Sequence, residues 1–180
     1  MTTLGFGAPT GTIFQYAYVV EDIHRAMTDY VERLGIGPWS LRDTFSPTTS
    51  RLPGTPHSPT FSLARSYSGT TMIELIEQHD DGPSVFHEDP AAPRRYGFHH
   101  WGIVTTTFAE DLARHEAQGH PEAFADDLPS GSRVVYVDTT ASFPGMLELV
   151  EYSEAQDRFY TSIWEATLGW DGSNPVRKEN

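Results

Sequence analysis

One eight-residue pattern occurs twice in this chain, and it limits the possible folds more than any other feature. TMIELIEQ runs from Thr71 and GMLELVEY from Gly145, with M-[IL]-E-L-[IV]-E in common. The elements read around the two copies recur as well. Thr12 to Val20, TIFQYAYVV, predicts a strand from its aromatic and β-branched content. Asp22 then stands as an N-cap, and Ile23, Ala26, Met27, Tyr30, Val31 and Leu34 follow at helical spacing until Gly35. Phe61–Tyr67 and Thr70–Ile76 read as paired strands around a Ser68-Gly69 turn. In the second half FHHWGIV predicts a strand, Thr107 and Glu110 a capping box, and a helix ends near Gly119. Arg133–Val137 and the strand within Gly145–Tyr152 complete the repeat. Units this small cannot bury their own sheet faces, so the two must pack or pair together.

The expected architecture is therefore one α+β domain over residues 1–180: module 1 at about 12–80, a connector at about 81–96, module 2 at about 97–152, then a helix and tail at 153–180. The Pro/Ser/Thr-rich stretch from Trp39 to Thr60 reads as an extended surface loop. Ser153 and Gln156 form a second capping box, followed by an apolar stripe of Phe159, Tyr160, Ile163, Trp164 and Leu168 up to Gly169. That helix is expected to cover the sheet or a partner subunit.

Composition excludes several functions. Twelve Lys and Arg against 25 Asp and Glu give a net charge of -13, a field that repels a phosphate backbone and argues against nucleic acid as a partner. No apolar run approaches the roughly 20 residues of a membrane helix, and no basic-then-apolar leader is present, so a cytoplasmic protein is expected. Without cysteine, any metal must be held by His, Glu, Asp or Gln.

Glu74 shares its strand face with Met72 and Ile76, and Glu148 shares its face with Met146 and Val150. A carboxylate buried among apolar neighbours must be paired, protonated or bound to a cation, because isolation costs several kcal/mol; an exposed edge strand is the alternative. The first strand of each half puts one polar group on a small-residue face, Gln15 and His100. If a pseudo-two-fold relates the halves, Gln15, Glu74, His100 and Glu148 approach one point and form an N/O site suited to a divalent cation. Strand alternation sets His99 on the face opposite His100, in a packing or supporting role. His24 and His115 fall in helices, and His57, His79, His87 and His120 in loops with a solvated role. Arg42, Arg51, Arg65 and Arg133 read as ordinary surface cations that can also grip an anionic substrate.

The stretches FQYAYVVEDIHRAMTDYVERLGIGPW, TMIELIEQHDDGPS, GFHHWGIV and RVVYVDTTASFPGMLELVEY resemble, in order and spacing, the vicinal oxygen chelate superfamily, on its glyoxalase I and methylmalonyl-CoA epimerase side. The resemblance spans about Ile13 to Tyr152. It implies paired βαβββ modules forming a curved, half-barrel mixed sheet around a metal, with ligands at Gln15, Glu74, His100 and Glu148. It also implies a divalent ion (Zn, Ni, Co, Mn or Fe) and no organic cofactor.

One His, two Glu and one Gln differ from the two-His, one-carboxylate set of iron dioxygenases. The set suits isomerase, epimerase or lyase chemistry beside a metal-chelated carbonyl of a small substrate, with Glu148 and Glu74 as the proton-transfer groups. A hydrolase on the same site and a metal-free, resistance-type binding protein are the alternatives, and a homodimer is expected.

Overall fold

In the computed structural model, which describes residues 2–47, 59–87 and 95–179, the two halves share one curved mixed sheet of nine strands. The first half gives β1 (Ile13–Val19), α1 (Ile23–Leu34), β2 (Trp39–Phe45), β3 (Phe61–Ser68) and β4 (Thr71–Gln78). The second gives β5 (Gly97–Thr105), α2 (Phe108–Ala117), β6 (Glu122–Asp127), β7 (Arg133–Val137) and β8 (Met146–Glu151). The helix α3 (Glu154–Thr167) and a short β9 (Val176–Lys178) complete the chain. The order across the sheet is β6-β7-β8-β5-β1-β4-β3-β2-β9.

The centre of that order is a pseudo-two-fold written in register. β1 runs antiparallel to β5, setting Gln15 opposite Gly102 and Ala17 opposite His100. β1 runs parallel to β4 and β5 parallel to β8, which sets Ala17 beside Glu74 and Gly102 beside Glu148. Gln15 thus corresponds to His100, Ala17 to Gly102, and Glu74 to Glu148. Two parallel strand pairs joined along an antiparallel seam bring all four polar groups to the middle of one face.

The other face carries α1 and α2. Ile23 and Met27 of α1 pack with Trp39, Leu41, Ala64 and Leu75, and Phe108 of α2 packs with Val135, Val137, Leu147 and Leu149. On the face of the four polar groups, Tyr160 and Ile163 of α3 meet Leu4 and Phe6, which precede β1, over Phe14, Met72, Val104 and Val150. Toward the opposite strand ends, Val85 packs with Phe124, Tyr136 and Met146. The polar groups lie between these two apolar clusters, which keeps water from them. Among the described residues no helix is long and apolar enough to cross a membrane.

The structure corrects several local expectations. Trp39 opens a strand where a loop is expected, because fully buried Trp39 and Leu41 pack under α1 and β9 pairs along the outer edge. Tertiary burial overrides the Ser/Thr composition there; residues 48–58 of the expected loop lie outside the described residues. The β3–β4 turn is Gly69-Thr70 rather than Ser68-Gly69: Ser68 pairs with Thr71, and Gly69 takes φ +64°. Thr107 makes no cap bond to the helix backbone, its hydroxyl donating instead to Asp111. Ser153 does accept from the Gln156 amide, but the Gln156 side chain is engaged with Ser130.

In β1, plain strand alternation would set Phe14 on the face of Tyr16 and Tyr18, yet it is buried in the cluster beneath α3 while Tyr16 is exposed. A register shift between Ile13 and Gln15 against β5 rotates the strand at that point, as a bulge does. Phe14→Ala is therefore expected to cost about 3–5 kcal/mol in urea denaturation, whereas exposed Ile13→Ala stays within about 0.5 kcal/mol.

Candidate functional site

Gln15, Glu74, His100 and Glu148 converge in the structure, and all four are buried. The Gln15 amide nitrogen lies 3.1 Å from Glu74 Oε2, 3.0 Å from Glu148 Oε2 and 3.3 Å from His100 Nε2. An amide group carries two hydrogens, so it can serve only two of these three neighbours at once. Gln15 Oε1 is itself buried without a hydrogen bond. The small partners make the approach possible, since a Cβ on Gly102 would stand 2.8 Å from Gln15 Cβ and 3.2 Å from Glu148 Oε2.

Charge in this pocket is unbalanced. Burial pushes Glu74 and Glu148 above the usual carboxylate range, against the pull of Arg65 on both. Arg65 Nε stands 2.7 Å from Glu74 Oε1, directly across the β3–β4 pair. Burial works against the guanidinium charge, but Glu74 and Glu179 outweigh it and hold Arg65 cationic. Glu179, just beyond β9, reaches Arg65 Nη1 at 3.6 Å and accepts from Ser40 Oγ. The Tyr136 hydroxyl donates to Glu148, and its ring packs edge-on against His100 at 4.7 Å.

Sequence reasoning placed Arg65 on the surface and gave Tyr136 no role. The hairpin register was the missing signal for Arg65: with the turn at Gly69-Thr70, Arg65 falls opposite Glu74, whereas a turn one residue earlier sets it elsewhere. Alternation along β7 puts Tyr136 beside Glu148 in the same way. His87 and His120, expected to be solvated, are buried, and Arg51 and His57 lie outside the described residues.

His99 departs from simple alternation. Ala17 pairs with His100 and Tyr18 with Phe98, leaving His99 as the extra residue of a bulge in β5. Its Nδ1 lies 2.9 Å from His100 Nδ1, and its Nε2 lies 2.9 Å from the Val85 carbonyl. Burial pushes the His99 imidazole down to about 3 and that of His100 down to about 4, so both rings are neutral at pH 7.

Among the described residues, no group of three or more His, Asp or Glu side chains stands ready spaced for an ion. The donor chemistry nevertheless fits one. His100 Nε2 lies 3.6 Å from Glu74 Oε2 and 3.7 Å from Glu148 Oε2. Ligands about 2.1 Å from a tetrahedral ion stand roughly 3.4 Å apart, so a small contraction of these three suffices, and Gln15 joins them as an oxygen ligand once its amide turns to present the unbonded Oε1 in place of the nitrogen. A cavity of about 480 Å³ opens beside this cluster, lined among others by Val85, His99, Asp138, Thr140 and Met146 but by none of the four groups.

The sequence profile of the glyoxalase/bleomycin resistance protein/dioxygenase superfamily matches residues 14–136, more than half of the chain. The chain belongs to that superfamily. Among solved structures this superfamily member resembles methylmalonyl-CoA epimerase from Mycobacterium tuberculosis, at 16% identity and a TM-score of 0.56 over 88% of this chain and 95% of that one. It also resembles a methylmalonyl-CoA epimerase in complex with methylmalonyl-CoA and NH4+, at 15% identity and a TM-score of 0.57 over 82% and 98%. A hypothetical protein from Bacillus halodurans C-125 is similar at 18% identity, with a TM-score of 0.52 over 79% and 95%. At such identities the likeness is one of fold. A search of the curated proteins finds no match.

Removing one partner of a buried ion pair leaves the other charge uncompensated. Arg65→Met is expected to destabilise the metal-free protein by about 3–5 kcal/mol at pH 8. Loss of the guanidinium raises the folded-state pKa of Glu74 further, and a raised carboxyl pKa gives stability that is present at low pH and lost as pH rises. The cost should accordingly shrink between pH 8 and pH 5 in urea titrations; a cost independent of pH would place Glu74 outside Arg65's influence.

Proposed function

We propose that this protein is a cytoplasmic, divalent-metal-dependent enzyme of glyoxalase or epimerase type, which moves a proton on the carbon beside a carbonyl of a small organic substrate. Gln15, Glu74, His100 and Glu148 are its metal ligands. The observation that carries this reading is the convergence of Glu74 Oε2, Glu148 Oε2 and His100 Nε2 on the Gln15 amide, with Gln15 Oε1 left unbonded. A bound divalent ion supplies a Lewis acid for the carbonyl and for the negative charge that develops on its oxygen.

The residues divide the remaining work. Glu148 is the proton-transfer base: its carboxyl is raised by burial, and its nearest donors are the neutral Tyr136 hydroxyl and the Gln15 amide. Glu74, paired with Arg65 at 2.7 Å, serves the opposite face of the substrate. Burial of the site between two apolar clusters removes water that would otherwise compete for the proton. Neutral His100 offers a lone pair at physiological pH. The aromatic row of Tyr16, Phe98, Trp101 and Phe143 on the helix-bearing face, exposed at Tyr16 and Phe143, supports a homodimer.

One observation favours the metal-free alternative: Arg65 and the Gln15 amide already compensate much of the carboxylate charge. Melting temperature measured with and without zinc separates the two readings. Burial raises both carboxyls, so protons compete with the ion more strongly as pH falls and the zinc-induced rise should be larger at pH 8 than at pH 5.5. No rise with any of zinc, nickel, cobalt, manganese or iron would support the binding-protein alternative.

Glu148→Gln should keep much of the metal through its amide oxygen. It should lose about 10²-fold or more in exchange of substrate α-protons with deuterated solvent, measured by NMR on a carbonyl compound found by screening. Wild-type exchange in a metal-loaded Glu148→Gln variant would move the base to Glu74 or favour the hydrolase reading.

A further inference from the structure

The bulge in β5 has a chemical result. Because Tyr18 pairs with Phe98 and Ala17 with His100, His99 is left over and its ring comes within bonding distance of its neighbour's. The Val85 carbonyl 2.9 Å from His99 Nε2 can only accept, so Nε2 carries the proton. In a neutral ring Nδ1 then holds the lone pair. His100 Nδ1, 2.9 Å away, must donate to it, since the other tautomer would set two lone pairs against each other. His100 Nε2 is left as an acceptor, in agreement with the Gln15 amide nitrogen 3.3 Å from it.

We propose that His99 is a positioning residue: by accepting the Nδ1 proton of His100 it aims the His100 Nε2 lone pair at the point shared by Gln15, Glu74 and Glu148. Val85 sets the direction of the relay from the connector between the two modules. Phe86, with its ring 4.9 Å from that of His99, and Tyr136, at 6.1 Å, hold the imidazole in place. The partner of a ligating histidine fixes its tautomer and raises its basicity, and losing such a partner typically weakens metal binding by about 10–100-fold. The affinity effect rests on the metal reading above, whereas the tautomer does not.

The experiment therefore has two arms. Long-range ¹H–¹⁵N correlation spectra of the metal-free protein should show His99 protonated at Nε2 and His100 at Nδ1. Zinc affinity is then measured against a competing chelator for wild type, His99→Phe and His99→Asn. Phenylalanine keeps the ring packing and removes the acceptor, so zinc should bind about 10–100-fold more weakly and His100 should populate both tautomers. Asparagine can set its amide oxygen where Nδ1 stood, and should recover most of the affinity and the single tautomer. Finding His100 protonated at Nε2 in the wild type, or zinc affinity unchanged in His99→Phe, overturns the proposal. If wild type binds none of zinc, nickel, cobalt, manganese or iron but shows the expected tautomers, the metal reading fails and this one stands. Should His99→Phe not fold, the wild-type spectra and His99→Asn still decide it.

Discussion

Two carboxyl groups and one guanidinium share a dry pocket at the middle of the sheet, and the surrounding structure answers to that imbalance. Glu74 has Arg65 at 2.7 Å, while Glu148 has a phenol and an amide. A second negative charge in such surroundings needs a proton or a cation. The small residues Ala17 and Gly102 admit Gln15 and Glu148 to the same point, where a Cβ on Gly102 would crowd both. Leu4 and Phe6 with α3 seal one end of the face, and Val85 with Phe124, Tyr136 and Met146 seals the other. Even the C-terminal strand takes part, since β9 holds Glu179 where it faces Arg65.

Much of this was legible in the sequence because the site is made of strands. A strand has period two and the repeat fixed which strands correspond, so Gln15, Glu74, His100 and Glu148 follow from alternation and pseudo-symmetry alone. Alternation failed where an extra residue enters the ladder: Phe14 turns into the core, and His99 turns toward His100. Nothing in either local sequence marks a bulge, because the shift is imposed by pairing with a distant strand. Arg65 was hidden by a turn placed one residue early, enough to move its partner off Glu74. β2 was hidden by composition, since Trp39 and Leu41 commit the segment only once α1 lies over them.

Membership of the superfamily gives the frame and leaves the chemistry to the site, because one fold hosts many reactions. What distinguishes this chain is the company its candidate ligands keep. Arg65 lowers the negative charge that a divalent ion would meet, which weakens binding and leaves the loaded site more electrophilic. The His99–His100 relay works in the opposite sense by making His100 Nε2 a committed donor of its lone pair.

The central claim is that the four buried groups enclose a cation, and it is tested most directly by anomalous diffraction from crystals grown with the metal that most raises the melting temperature. Data collected on either side of that metal's absorption edge locate it without reference to the protein coordinates. The account requires one strong peak within bonding distance of Gln15, Glu74, His100 and Glu148. An ordered structure in which the Gln15 amide still donates to both carboxylates, with no peak at that point or with the peak elsewhere on the chain, would contradict it.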